Sequence, residues 1–148
     1  MPATPKTSRR WLALVAAWIF GAVFVWSGWL KVQDPALFLV NIRSFRMLPD
    51  PFAAWLALTL PWLEIFAGLA VLTGWLRRGG VLLLNAALVV FAIALLTAWA
   101  RGLNIECGCF GSAKSATILE ALVRDAVLLA LGWVVAKVTS CKGDKLQR

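Results

Sequence analysis

Two cysteines one residue apart, Cys107 and Cys109, are the residues of this chain best suited to chemistry. They lie in the only long polar gap of the C-terminal half. Closing so small a ring removes little chain entropy, so a disulfide here would be a weak structural brace. Two adjacent thiols can instead store two electrons as a disulfide or hold a soft metal as thiolates. The pattern alone also fits two unrelated thiols in a loop.

The composition is typical of a membrane protein. The chain has 148 residues, 61% of them hydrophobic, with a mean hydropathy of +0.82, whereas soluble domains are nearer half apolar. The absence of histidine removes the commonest general base and zinc ligand. The formal charge of +8 is spread along the chain, while a nucleic-acid-binding protein would cluster it.

Four apolar runs are each long enough to cross a bilayer as a helix. They cover Trp11–Leu30, about Phe52–Leu76, about Val81–Ala100 and about Ile118–Val138. The sequence therefore predicts an all-α integral membrane protein built as a four-transmembrane-helix bundle. The membrane domain spans 11–138, between basic tails at 1–10 and 139–148.

A short amphipathic helix is predicted between the first two spans. The stretch 31–51 is polar enough to leave the bilayer. Asp34 is a favourable N-cap, and Pro35 suits the first helical position. Apolar residues then recur at helical spacing, namely Phe38, Ile42 and Phe45. We expect this helix to lie on the membrane surface.

Three further signals mark helix boundaries. Asp50-Pro51 repeats the cap-and-proline pattern at the start of the second span. The run Arg77–Gly80 predicts a tight basic turn before the third span. Thr117-x-x-Glu120 fits a capping box that opens the fourth span.

Several polar side chains fall inside the predicted spans. Glu64 lies about mid-bilayer, where a charged acid costs about 2.5–3.5 kcal/mol on insertion scales. We therefore expect Glu64 to be neutral, paired or facing a cavity. A protonated carboxyl bonded to a neighbouring helix and a role in proton transfer or ligand binding both fit. Asn85 is predicted to join helices by hydrogen bonding, and the deeper Asp125 has no such simple explanation.

Charge asymmetry sets the expected orientation. Four spans place both termini on one side, and that side holds the larger share of Lys and Arg. The positive-inside rule then puts both termini in the cytoplasm. The loop with Cys107 and Cys109 faces the oxidising compartment, where disulfides persist. Cys141 lies on the reducing side and is not expected to pair with them.

Three motifs in order resemble the DoxX-like membrane proteins, and the third indicates their methylamine-utilisation MauE branch. The motifs are Ser27-Gly28-x-x-Lys31-x-x-Asp34-Pro35-x-x-Phe38, Leu60-Pro61-Trp62-Leu63-Glu64 and Cys107-Gly108-Cys109-Phe110-Gly111. The resemblance covers about 11–138. It implies a four-helix bundle in the bacterial inner membrane that helps to mature periplasmic, disulfide-containing proteins, alongside a thioredoxin-like periplasmic partner.

The leading hypothesis is a membrane thiol–disulfide relay through Cys107 and Cys109, in which one thiolate attacks and the other thiol resolves the mixed disulfide. The residues expected to support it are Lys31, Asp34, Glu64, Lys114 and Asp125. The same thiolates would suit a soft-metal carrier for Cu(I), although Met47 is the only methionine besides Met1. A non-catalytic scaffold subunit of a membrane redox complex is the third reading.

The sequence predicts no metal site and no certain cofactor. A quinone is left open as an electron carrier. The attacking cysteine, the direction of electron flow, the client protein, the oligomeric state and the role of Cys141 are left open as well.

Overall fold

The structure, a computed structural model, describes residues 5–103 and 117–143, and helix is the only regular secondary structure in them. The helices are α1 (Pro5–Gln33), α2 (Pro35–Ser44), α3 (Phe52–Thr73), α4 (Arg77–Ala100) and α5 (Ile118–Gly143). Those two ranges contain no strand. The predicted all-α class is therefore confirmed.

Three of the helices are long and apolar enough to cross a membrane. The candidate spans are Trp11–Gln33, Phe52–Thr73 and Arg77–Ala100, in agreement with the first three predicted spans. Helix α5 is not among the candidates found in the described residues, and it carries Arg124, Asp125 and Lys137 in its interior. The fourth span stays a prediction.

The outer surface of the bundle is apolar. All nine tryptophans are exposed, each by more than half of its surface, together with many leucines and valines. A water-soluble monomer rarely shows so large an apolar surface. Indole rings are also enriched where helices meet the membrane interface. These features identify the chain as a membrane protein.

Helix α1 packs chiefly on α3, and α4 packs on α5 and α3. The main core contains Phe20, which is fully buried, and Leu84. The α1 and α3 backbones come close at small residues. A Cβ added at Gly21 would lie 2.9 Å from the Gly68 carbonyl oxygen, and one at Gly28 would lie 2.8 Å from that of Pro61. Small residues permit such close helix contacts in membranes.

A short helix, α2, lies between the first two candidate spans, in the stretch where the sequence predicts one. The Asp34 carboxylate accepts a hydrogen bond of 3.0 Å from the Leu37 N–H, as an N-cap does. Phe38 and Phe45 are buried against the bundle. Its placement on the membrane surface stays a prediction.

Three predicted details of the helix ends are wrong, although α3 begins at Phe52 as predicted. Asp50 does not cap α3, because its carboxylate binds the Arg43 guanidinium at 3.1 Å and Pro51 occupies the N-cap without a side-chain bond. The run Arg77–Gly80 is not a turn but the start of α4. The turn comes earlier because Gly74, with φ of 81°, ends α3 in the left-handed conformation that glycine favours. The second span accordingly ends at Thr73, not near Leu76.

Candidate functional site

A buried ion pair joins α1 to α3. The Lys31 Nζ donates hydrogen bonds of 2.7 Å to both Oε1 and Oε2 of Glu64. The two side chains are 9% and 7% exposed, respectively. Each charge neutralises the other in a region where an isolated charge would be costly. The prediction that Glu64 is paired inside the bundle, and not exposed to lipid, is confirmed.

Three elements position this pair. Lys31 lies three residues after Gly28, and Glu64 lies three residues after Pro61, so each is on the helix face that makes the close α1–α3 contact. Helix α2 then places the Phe38 ring 5.2 Å from the Lys31 Nζ. The aromatic face is electron-rich and attracts the ammonium.

The first helix extends beyond the predicted span, Trp11–Leu30. Helix α1 continues to Gln33, and Lys31 is buried because Glu64 compensates its charge. Helical spacing alone could have placed Lys31 on the contact face of α1, although not identified its partner. Gly21 and Gly28 are seven residues apart on one face of α1, and Lys31 continues that face.

A second acid lies beside this pair, on α5. Asp125 is 3% exposed, and its Oδ2 has no hydrogen-bond partner within the described residues. The positive charges of Arg124 and Lys31 both act on its carboxyl group. A carboxyl oxygen left unbonded in a buried position carries a desolvation cost. Asp125 is therefore the polar group of the bundle that most needs a further explanation.

Asp125 and the ion pair line one cavity of about 60 Å³. Ser27 and Arg124 add polar surface, and phenylalanine and leucine side chains close the rest. By this measure of volume one water molecule needs roughly 10–15 Å³, so the cavity has room for a few. The cavity therefore brings Asp125, Lys31 and Glu64 to one small polar space.

Asn85 does not act as the predicted hydrogen-bonded link through its carbonyl oxygen. Its Oδ1 is buried without a partner among the described residues. The side chain instead packs against Gly132 of α5, where an added Cβ would lie within contact distance of both Asn85 and Phe20. Close packing at a glycine explains how α4 and α5 meet at this position.

Of the remaining predicted site residues, the structure describes only Asp34. Asp34 is exposed and caps α2, which positions Phe38 against Lys31. Cys107, Cys109 and Lys114 lie outside the described residues. Cys141 is in the last turns of α5, and its side chain also lies outside them. Among the described residues no three Asp, Glu, His or Cys side chains are grouped as a metal site would need.

The connection that carries Cys107 and Cys109 is anchored on both sides. Leu103 and Ile118 pack on a cluster of buried residues that includes Phe45, which follows α2, and Ala121 of α5. The predicted capping box is confirmed, because the Thr117 N–H donates to Glu120 Oε2 at 3.2 Å and the Glu120 N–H to Thr117 Oγ1 at 3.5 Å. Both anchors lie at the end of the bundle where α2 packs.

Comparison with known proteins identifies one family. The family model described as methylamine utilisation protein MauE matches residues 9–138. The MauE protein of Paracoccus denitrificans is 34% identical over 128 residues, covering 84% of this chain and 69% of the relative. That of Methylorubrum extorquens is 38% identical over 102 residues, covering 68% of this chain and 55% of the relative. No solved structure matches the chain significantly.

Proposed function

The chain belongs to the MauE family, and on that premise we propose that it is a membrane thiol–disulfide relay that serves methylamine utilisation. In this proposal it lies in the bacterial inner membrane with four spans, α5 being the fourth, and with both termini in the cytoplasm. Cys107 and Cys109 face the periplasm. They exchange disulfides with a thioredoxin-like periplasmic protein and support maturation of a disulfide-containing client.

The exchange conserves atoms and electrons. A thiolate of the pair attacks one sulfur of the partner's disulfide, and the other partner sulfur leaves as a thiolate. The second cysteine of the pair then attacks the mixed disulfide. The pair ends as a disulfide and the partner as a dithiol, so two electrons pass to the partner; the reverse sequence oxidises the partner.

One observation supports this function above the others. The Cys-Gly-Cys sequence lies in the connection between α4 and α5, whose flanking residues Leu103 and Ile118 are packed onto the bundle. Fixed flanks limit where a partner must dock to reach the segment between them, which supports exchange. The relatives are themselves named for methylamine utilisation, which supports the same physiological context.

The test combines thiol trapping with growth. A strain lacking the gene is complemented with wild type, Cys107→Ala, Cys109→Ala or Cys141→Ala. Membrane-impermeant maleimide is applied to intact cells with and without reductant. We expect wild type to be labelled only after reduction, and each single variant of the pair to expose one reactive thiol and to lose growth on methylamine.

Cys141→Ala is the matched control, because its thiol is expected on the cytoplasmic side. It should grow as wild type and leave the labelling pattern unchanged. Normal growth of both Cys107→Ala and Cys109→Ala would refute the relay and favour a scaffold. Free wild-type thiols that bind Cu(I) tightly would favour a metal carrier.

A further inference from the structure

A large apolar groove lies between α2, α3 and α4. Its volume is about 490 Å³, within the range of small-molecule binding sites. Aliphatic side chains from the three helices form most of its wall, among them Ile42, Leu56, Leu63, Leu83, Val90 and Ile93. Such a groove suits a long apolar chain.

The groove adjoins the polar cavity that holds the ion pair and Asp125. Four residues line both spaces: Phe38, Leu60, Ala87 and Phe91. Two of the four are phenylalanines, one from α2 and one from α4. Aromatic side chains at such a junction favour a flat ring between them, in stacked or edge-to-face contact.

The polar end offers a donor and an acceptor. The Lys31 ammonium uses two of its three donors on Glu64, and the described residues give it no third hydrogen-bond partner. Asp125 Oδ2 is buried and also unbonded within them. A ligand oxygen can accept from Lys31. A ligand hydroxyl can donate to the Asp125 carboxylate, or a ligand carbonyl oxygen can accept from Asp125 in its protonated form.

These requirements separate the ligand from an ordinary lipid chain. The end of an acyl chain carries no polar atom, so it would leave Asp125 and the free Lys31 donor unbonded in an apolar environment, which is costly. We propose that groove and cavity together bind a membrane-soluble quinone or quinol. Its tail lies in the groove, its ring between Phe38 and Phe91, and its oxygens toward Lys31 and Asp125. This binding does not depend on the thiol relay, which has its own test.

The test uses the full chain in phosphatidylcholine nanodiscs freed of endogenous quinone. The probe is a photoreactive azido-benzoquinone with a ten-carbon tail, and labelled peptides are found by mass spectrometry. We expect labelling in α2 and α4 that an unlabelled benzoquinone of the same tail displaces. Decylbenzene, which supplies the tail and a flat ring without the two ring oxygens, should not displace it.

Two variants and one control connect labelling to the geometry. Ala87→Trp fills the junction and should reduce displaceable labelling by more than tenfold. Asp125→Leu removes one hydrogen bond to the head and should weaken binding about tenfold. Val89→Trp places the same bulk on α4 at an exposed residue that lines neither space and should bind normally. Ala87→Leu, a smaller filling change, replaces Ala87→Trp if the latter does not fold.

Unchanged labelling in the folded Ala87 variant would overturn the proposal. Equal displacement by decylbenzene would also overturn it, because the site would then need no ring oxygen and would be one for apolar chains. Loss of quinone binding with normal thiol trapping would separate this site from the relay.

Discussion

Buried polar groups are compensated at the α1–α3 contact but lack hydrogen-bond partners along α4 and α5. Between α1 and α3 the backbones approach at glycines, and both charges are compensated by each other. Along α4 and α5, Asn85 Oδ1 and Asp125 Oδ2 lack partners among the described residues. A satisfied pair is explained by structure alone, whereas an unsatisfied carboxyl is retained at a cost. The first contact therefore compensates its own charges and leaves only the third Lys31 donor unused among the described residues. The second leaves the Asp125 carboxyl available to a group outside the fold.

Breaking the ion pair should have the largest effect. Lys31→Met leaves the Glu64 carboxylate buried without compensation, and we expect the free energy of unfolding to fall by about 3–5 kcal/mol. The measurement is unfolding by SDS in mixed micelles, followed by circular dichroism.

The double variant Lys31→Met/Glu64→Leu is the control for that prediction. Replacing both partners with apolar side chains of similar size should restore most of the lost stability. Strictly additive losses from the two single changes would show that the ion pair is not a coupled structural unit.

Widening the α1–α3 contact should have the next largest effect. Gly28→Ala places a Cβ 2.8 Å from the Pro61 carbonyl oxygen, and the required shift should cost about 1–3 kcal/mol. Gly79→Ala is the matched control, since a Cβ there meets nothing within 4 Å and should be neutral or slightly stabilising. Equal effects of the two changes would argue against a close contact at Gly28.

Removing the cap of α2 tests how firmly Phe38 is held beside the ion pair. Asp34→Ala loses the bond to the Leu37 N–H and should lower stability by about 1 kcal/mol, with faster amide exchange in α2. Asp50→Ala removes only an exposed ion pair with Arg43 and should change stability by less. A larger loss of stability for Asp50→Ala than for Asp34→Ala would contradict the assignment of Asp34, and not Asp50, as a helix cap.

Removing the unpartnered acid should have the smallest effect on stability. Asp125→Leu deletes a carboxyl with an unbonded Oδ2, so unfolding should be unchanged or cost slightly more free energy than in wild type. We expect growth on methylamine to fall in the same variant. If Asp125→Leu lowered stability as much as Lys31→Met, Asp125 would also be a stabilising polar group, and the contrast between the two helix contacts would be wrong.

The helices were predictable because hydropathy and capping signals are local. The predicted starts at Trp11 and Phe52 and the predicted end at Ala100 coincide with ends of the candidate spans. The Asp34 cap also forms as predicted. The predicted Asp50 cap is wrong because the Asp-Pro pattern does not show that the nearby Arg43 will bind the carboxylate. Local patterns do not report which distant side chain competes for a polar group.

The site was only partly predictable for the same reason. The position of Glu64 in its span predicted that it would be paired, but not that Lys31 would be the partner, because the polar stretch after α1 suggested an exposed lysine. The depth of Asp125 in the predicted fourth span indicated that it needs an explanation. That it lies near Lys31 could not be predicted, because this depends on how α5 packs. Cys107 and Cys109 lie outside the described residues, so their pairing stays a prediction.

Because the tryptophans are exposed, their fluorescence depends on the lipid around the protein. All nine indoles are on the outer surface, and none is buried in the core. Intrinsic fluorescence of this chain will therefore report the polarity of the lipid or detergent around it, and brominated lipid tails will quench it by direct contact. The core can change its packing, or exchange one partner of Glu64 for another, while the emission spectrum stays almost constant.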